Sequence, residues 1–303
     1  MNEMMMEGIC PRCGRLLQIP GELEEFSCLY CGERLKQQEL VQKQQEEESA
    51  RQAFEQVLPM LLSCVRDYRG YQRRINRNEF KEAFQSYEQG TSEIFERLNY
   101  GAAGDREKIG LAAERLLDDL EQDWNTLGKR EQNACMESDK LLIAIFLVPA
   151  MRRRKLNVSE PFCEILQKKW CERHPKSPFF VGDYDSIAEG FQRKVLGLCF
   201  ITTAVCEAEG KPDDCPELTA FRAFRDGWLK QQPDGQLLID EYYNIAPGIV
   251  TCINLASERE KRYAQLRSVY LEPCYADLQA GRLERCKERY VAMVRDLERE
   301  YLS

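Results

Sequence analysis

Apolar residues recur three and four positions apart along most of this chain, and each such run predicts one face of an amphipathic helix. Phe54, Val57, Leu58, Leu61, Leu62, Val65 and Tyr68 form the first face, and Pro59 must kink that helix or start a new one. Phe80, Phe84, Tyr87, Ile94, Phe95 and Leu98 form the second, which ends in the loop "NYGAAG" at 99–104. Asp105 is placed to cap a helix carrying Ile109, Ala113, Leu116, Leu117, Leu120, Trp124 and Leu127, with Gly128 ending it. Residues 141–151, "LLIAIFLVPAM", are apolar all round and predict a buried helix over 141–148, capped by Ser138 or Asp139 and stopped by Pro149. Ser159 with Pro161 starts another helix through Trp170, which "RHPKSPFF" at 173–180 breaks.

A second uncharged run, "VLGLCFITTAV" at 195–205, also predicts a helix buried on every side. In that helix Cys199, Thr203 and Cys206 fall at i, i+4 and i+7, one stripe of small side chains. The two sulfurs would lie about 10 Å apart at 1.5 Å rise per residue, too far to bond each other. The threonine hydroxyls can bond back to the backbone. The stretches 218–229 and 235–250 and a Leu/Tyr-bearing C-terminal region continue as helix, and nothing after residue 36 alternates as a strand.

Residues 1–36 break the helical pattern. Two C-x2-C-G units, Cys10–Gly14 and Cys28–Gly32, are separated by the fourteen residues between Cys13 and Cys28. Two residues between thiolates let one turn wrap an ion with sulfurs about 2.3 Å away, and the following glycine takes the left-handed conformation such a turn needs. The intervening segment reads as two short strands around a turn at Pro20-Gly21. The double unit resembles a zinc ribbon over residues 8–36. The resemblance implies one structural Zn²⁺ held by Cys10, Cys13, Cys28 and Cys31, a closed four-thiolate site with no position open for chemistry. A redox pair or an iron centre is the other use open to these cysteines.

Charge narrows the partners. A net charge of −8 argues against counterion-releasing contacts to phosphate backbones and against anionic membrane surfaces. Residues 1–35 carry six Glu against three Arg, so a protein rather than a nucleic acid is the expected partner of the ribbon. Eleven apolar residues at 141–151 fall short of the ~20 that cross a bilayer, so no membrane partner is expected. The N-terminus shows no basic segment followed by an apolar one, so no secretory signal is expected. With that, the 14 cysteines read as free or metal-bound thiols in a reducing cytoplasm.

Chemistry-bearing constellations are few. His174 is the only histidine, no triad of the familiar kind is read around it, and no Gly-rich phosphate loop is present. Cys163, Cys171 and His174 have spacings open to a second metal, against the plainer reading of a helix-end histidine beside core cysteines. The basic run "MRRRK" at 151–155 solvates a helix end and complements its dipole. Cys199 and Cys206 are the candidates for a catalytic thiol, but a thiolate needs a base or cation, and only Arg222 and Arg225 offer one.

One further set of residues carries a resemblance. Cys199, Phe200, Ile201, Thr203 and Ala204 are followed by Phe221, Arg222, Phe224, Arg225, Asp226 and Leu229, then Gly235, Tyr242, Tyr243, Pro247 and Ile249. Three blocks in this order, over about 55 residues, resemble the CFI-box family, a short module found near the C-termini of bacterial and archaeal proteins. The chain departs from that pattern at Val205 and Cys206 and in the acidic loop after them, and about 50 residues follow the module. The family implies no activity.

The expected architecture is mainly α, with a zinc ribbon at 1–36, a helical linker at 37–50, a helical body at 51–194, the CFI-box-like module at 195–254 and C-terminal helices at 255–303. The expected function is a non-catalytic intracellular scaffold or adaptor that binds protein partners. A thiol enzyme or redox sensor using Cys199 or Cys206 and a nucleic-acid-associated ribbon protein are the alternatives. In the adaptor reading both thiols are buried, and Arg222 or Arg225 pairs with Asp226 or with a Tyr242 or Tyr243 hydroxyl.

Overall fold

The computed structural model describes residues 5–192, 199–256 and 258–302. Four short strands come first: β1 (Met5–Ile9), β2 (Leu16–Pro20), β3 (Glu25–Ser27) and β4 (Arg34–Lys36). β2 and β3 do not pair with each other across Pro20-Gly21, as the sequence pattern suggests. β1 pairs with β2 and β3 with β4, each antiparallel across its own C-x2-C-G turn. The cause is local. The Cys10 N–H donates to the Arg15 carbonyl at 3.0 Å and the Gly14 N–H to the Cys10 carbonyl at 2.9 Å, while Cys28, Glu33 and Gly32 repeat the arrangement at 2.8 and 2.9 Å. Gly14 and Gly32 take φ of +69° and +75°, a conformation any Cβ would strain. Each thiolate pair is thus the tip of a hairpin.

Fourteen α-helices follow among the described residues. They are α1 (Gln37–Val57), α2 (Ser63–Arg66), α3 (Phe80–Ala102), α4 (Arg106–Trp124), α5 (Lys129–Leu142), α6 (Val148–Arg154) and α7 (Ser159–Arg173), then α8 (Tyr184–Gln192), α9 (Phe200–Ala208), α10 (Pro216–Ala223), α11 (Gly235–Leu255), α12 (Arg259–Leu266), α13 (Glu272–Gln279) and α14 (Leu283–Tyr301). The mainly α reading therefore holds, and no helix among the described residues is long and apolar enough to cross a membrane. The periodic apolar positions are the ones buried: Phe84, Tyr87 and Leu98 of α3, and Leu116, Leu117 and Leu120 of α4, are fully enclosed. Asp105 caps α4 as expected, its Oδ1 accepting from the Glu107 N–H at 2.8 Å.

Residues 37–50 are not a free linker. α1 is continuous from Gln37, and Leu40 in its first turns completes the ribbon's own small core with Leu17, Ile19 and Leu35. Fourteen residues on, Phe54 and Val57 of the same helix join the large core of the body.

Three stretches depart from the sequence reading. α5 runs through Ser138 and Asp139, so neither is a cap. Asp139 is instead fully buried and receives Arg69 Nε at 2.9 Å, Arg69 Nη2 at 2.6 Å and Trp124 Nε1 at 2.8 Å. The apolar run does not stop at Pro149. Ile143–Leu147 is π-helical, with the Val148 N–H bonded to the Ile143 carbonyl, and Pro149 lies inside the helix that continues from α5 into α6, just after this wider turn. Third, α9 begins at Phe200, with Cys199 just outside it and the Cys199 carbonyl accepting from the Thr203 N–H at 2.6 Å. Residues 195–198 of the expected helix lie outside the described residues.

The body and the C-terminal helices meet at α11. Residues 75–78 cross it so closely that a Cβ at Gly248 would lie 1.8 Å from the Ile75 carbonyl oxygen. The Arg77 N–H donates to the Asn244 carbonyl at 2.9 Å beside that crossing. Pro247 sits inside the helix one residue earlier and withholds the N–H that would continue the ladder. The basic run after Pro149 is spent on neighbours: Arg152 pairs with Glu160, Arg153 with Glu88 at 3.5 Å and Arg154 with Glu96 at 3.2 Å.

Asp139→Ala should cost about 3 kcal/mol, because it leaves the Arg69 guanidinium and the Trp124 N–H without their buried acceptor. Urea denaturation checks this; a loss below about 1 kcal/mol would mean that solvent and Asp123, which already pairs with Arg69 Nη2 at 2.7 Å, suffice without Asp139.

Candidate functional site

The strongest candidate is the four-cysteine cluster of the ribbon. Each hairpin tip contributes two sulfurs, and all four Sγ atoms lie within 4.8 Å of one another. Cys10 and Cys31 are 3.7 Å apart, as are Cys13 and Cys28. A tetrahedron with sulfurs 2.3 Å from its centre has edges of about 3.8 Å, so a metal ion such as zinc fits without rearrangement. Burial opposes ionisation of Cys28, yet hydrogen bonds from the Tyr30 and Cys31 N–H groups and from the Cys31 and Cys10 thiols outweigh it and bring its pKa down to about 6. The Glu33 N–H favours ionisation of Cys31 too, but burial and the same shared hydrogen bonds push that thiol up to about 12, so the lowering at Cys28 does not extend to it. The four cysteines that the spacing singles out do lie together.

Around the cluster the ribbon is apolar outside as well as inside. Met5, Ile9, Leu16, Leu23, Leu29 and Tyr30 are all exposed, Leu29 at 91%. Ile9 stands directly opposite Leu16 in the β1–β2 register, so the two share one outward face. Leu29 and Tyr30 occupy the second tip between Cys28 and Cys31, and the Arg15 guanidinium lies 4.6 Å from the centre of the Tyr30 ring. Arg12 is paired with Glu33 at 2.7 Å.

The second constellation surrounds Cys199. Its thiol is buried and lies 3.6 Å from Arg225 Nη1, which also donates to the Tyr243 hydroxyl at 2.8 Å. Arg225, itself 7% exposed, bonds the Asp226 carboxylate through Nε and Nη2, both at 2.7 Å. The pairing expected for one of the two arginines thus falls to Arg225, while Arg222 turns outward to the Asp213 carboxylate and carbonyl. The Tyr242 hydroxyl accepts the Ile201 N–H, an otherwise unsatisfied donor at the start of α9, at 2.9 Å. The Thr202 hydroxyl reaches Tyr290 at 3.0 Å rather than the backbone, and the Thr203 hydroxyl has no partner among the described residues. Phe200 packs edge-on against Tyr243. Cys199, Phe221, Phe224, Arg225, Leu229 and Tyr242 line an apolar cavity of about 70 Å³ between α10, α11 and α14, whereas Phe200, Thr203, Ala204 and Pro247 line a separate one.

This arrangement does not activate the thiol. Burial pushes the Cys199 pKa up to about 11, with Arg225 only partly opposing it. At neutral pH the group is a thiol, hence a poor nucleophile.

Cys206, the other thiol candidate, does not face Cys199's cluster. Its Sγ lies 3.9 Å from that of Cys215 and 4.0 Å from Glu217 Oε2. Sequence reasoning missed Cys215 and Glu217, which lie at the end of and just beyond the seven-residue loop (209–215) that follows the helix carrying Cys206; the Cys-Pro-Glu step at a helix start was the available signal. The other grouping the sequence left open is not assembled. The Cys163 thiol faces the Val148 carbonyl at 3.8 Å, and His174 packs on Trp124 and Trp170 with Glu121 3.2 Å from Nε2.

Comparisons with protein-family models, with curated proteins and with solved structures returned no match.

At pH 7.5 Cys199 should react with iodoacetamide at least about tenfold more slowly in the folded protein than in urea, since both access and thiolate fraction are low. Peptide mapping reads the rate, and equal rates in the two conditions would place the thiol at the surface.

Proposed function

We propose that this protein is a non-catalytic adaptor, in which a Zn²⁺-bound ribbon presents an apolar surface to a protein partner. One observation carries the reading: of the twelve large apolar side chains exposed among the described residues, six lie on the ribbon. A folded module of this size has no physical reason to expose so many unless something covers them. The ion is Zn²⁺ because four thiolates in a closed tetrahedron suit it and leave no position for substrate. Protein is favoured over nucleic acid because the ribbon is acidic and two of its three arginines are engaged, Arg12 by Glu33 and Arg15 by the Tyr30 ring. The helical body then serves as the frame, with the CFI-box-like module as the core of its C-terminal half. None of the fourteen cysteines is joined in a disulfide, which suits a reducing cytoplasm.

The test separates the ion from the surface. Cys13→Ser should lose the ribbon's zinc and raise hydrogen exchange over residues 5–40 while leaving α3–α7 protected. Leu29→Asp with Tyr30→Ala should keep zinc and helicity but lose the partners that in-cell cross-linking recovers with the native chain. An unchanged partner set in the second variant, or salt-sensitive binding of single-stranded DNA by the native protein, would overturn the adaptor reading.

A further inference from the structure

We propose that Cys206, Cys215 and Glu217 form a second metal site, for a thiophilic divalent cation of the Zn²⁺ class, with one coordination position left open. It stands apart from the ribbon and does not depend on the ribbon's role. Cys206 lies in the last turns of α9, Cys215 immediately precedes α10, and Glu217 is in the first turn of α10. The three donor atoms lie within 4.8 Å of one another. Their spacing matches the ribbon's own: 3.9 Å between the sulfurs and 4.0 Å from sulfur to carboxylate oxygen, against 3.7 Å between ribbon sulfurs. A disulfide would need the sulfurs at about 2.05 Å, whereas a shared ion 2.3 Å from each needs them where they are.

The surroundings hold the donors in place. Glu217 Oε2 accepts from Lys211 Nζ at 2.6 Å and Oε1 from Arg267 Nη2 at 3.1 Å, so the carboxylate is oriented from outside, as ligating carboxylates are. The Lys211 N–H donates to the Cys206 carbonyl at 3.0 Å, and Arg222 ties Asp213 of the same loop. Arg267 also pairs with Glu209 and Glu272. Two thiolates and a carboxylate around a dication leave one negative charge, which Lys211 and Arg267 offset. A hollow of about 10 Å³, lined by Cys206 and Glu217 with Thr202, Phe221 and Leu271 among its other walls, lies beside the donors. That is room for one water, the ligand an ion with three protein donors would take in its fourth position.

Metal analysis of the full chain, purified after growth with added zinc, tests this. The native protein should carry two ions, Cys215→Ser one, Cys13→Ser one, and the double variant none. Glu217→Gln should weaken the second ion at least about tenfold in competition with a chelator while leaving the ribbon's ion unchanged. In the Cys13→Ser variant, cadmium should produce thiolate-to-metal absorption that Cys215→Ser abolishes. A native protein with a single ion, lost entirely in Cys13→Ser, overturns the proposal. So does mass spectrometry showing Cys206 and Cys215 joined as a disulfide in protein purified without reductant.

Discussion

A guanidinium taken out of water organises the C-terminal half of this chain. Arg225 has its side chain almost wholly enclosed, and leaving that charge unpaired would cost several kcal/mol. The structure satisfies it from three elements at once: Asp226 beside it, Tyr243 on α11, and the Cys199 sulfur ahead of α9. Adjacent residues on an α-helix do not face each other, so Arg225 and Asp226 could not pair in both bonds on a regular turn. They do so here within Phe224–Trp228, which is π-helical. The wider turn reorients neighbours along the chain, and π segments of this kind are frequent where a helix must position side chains. Tyr242 and Tyr290 extend the network to the first N–H groups of α9 and to α14. Removing any one group strands another, which makes this core specific rather than merely apolar.

The elements that sequence reasoning read well are those in which one local rule decides. The C-x2-C-G spacing determines the ligands because the turn, the glycine and the sulfurs belong to the same five residues. The apolar period identified α3 and α4, and an aspartate before a helix caps it whatever lies elsewhere. The pairing of Arg225 with an acid or a tyrosine followed from burial alone.

What escaped had a non-local cause. Strand pairing in the ribbon was misread because β3 and β4 have three residues each, too few to show which neighbour they join. Asp139 looked like a cap because polar residues before an apolar run usually are; its acceptor role depends on Arg69, seventy positions away in sequence. Pro149 looked like a stop because a π turn leaves no mark in the sequence. The partners of Cys206 were hidden by an acidic loop that reads as mere solvent-facing connection, although it returns the chain onto the same sulfur.

The same contrast between local and distant causes governs how the ribbon is held. Between Leu40, in the ribbon's core, and Phe54, in that of the body, α1 rises about 21 Å with mostly solvated faces. Along that shaft the side-chain contacts are surface pairs, such as Arg51 with Glu48 at 2.7 Å and with Glu55 at 3.1 Å, each worth about 0.5 kcal/mol or less. A helix of this length is marginal in water on such terms. Its continuity therefore depends on its two ends, one anchored in the body and one in the ribbon. Because the ribbon's end is buried only while the four cysteines hold their fold, any ion that the cluster took up would stabilise the shaft as well. The apolar face around Leu29 and Tyr30 is carried by the body only as firmly as that fold holds.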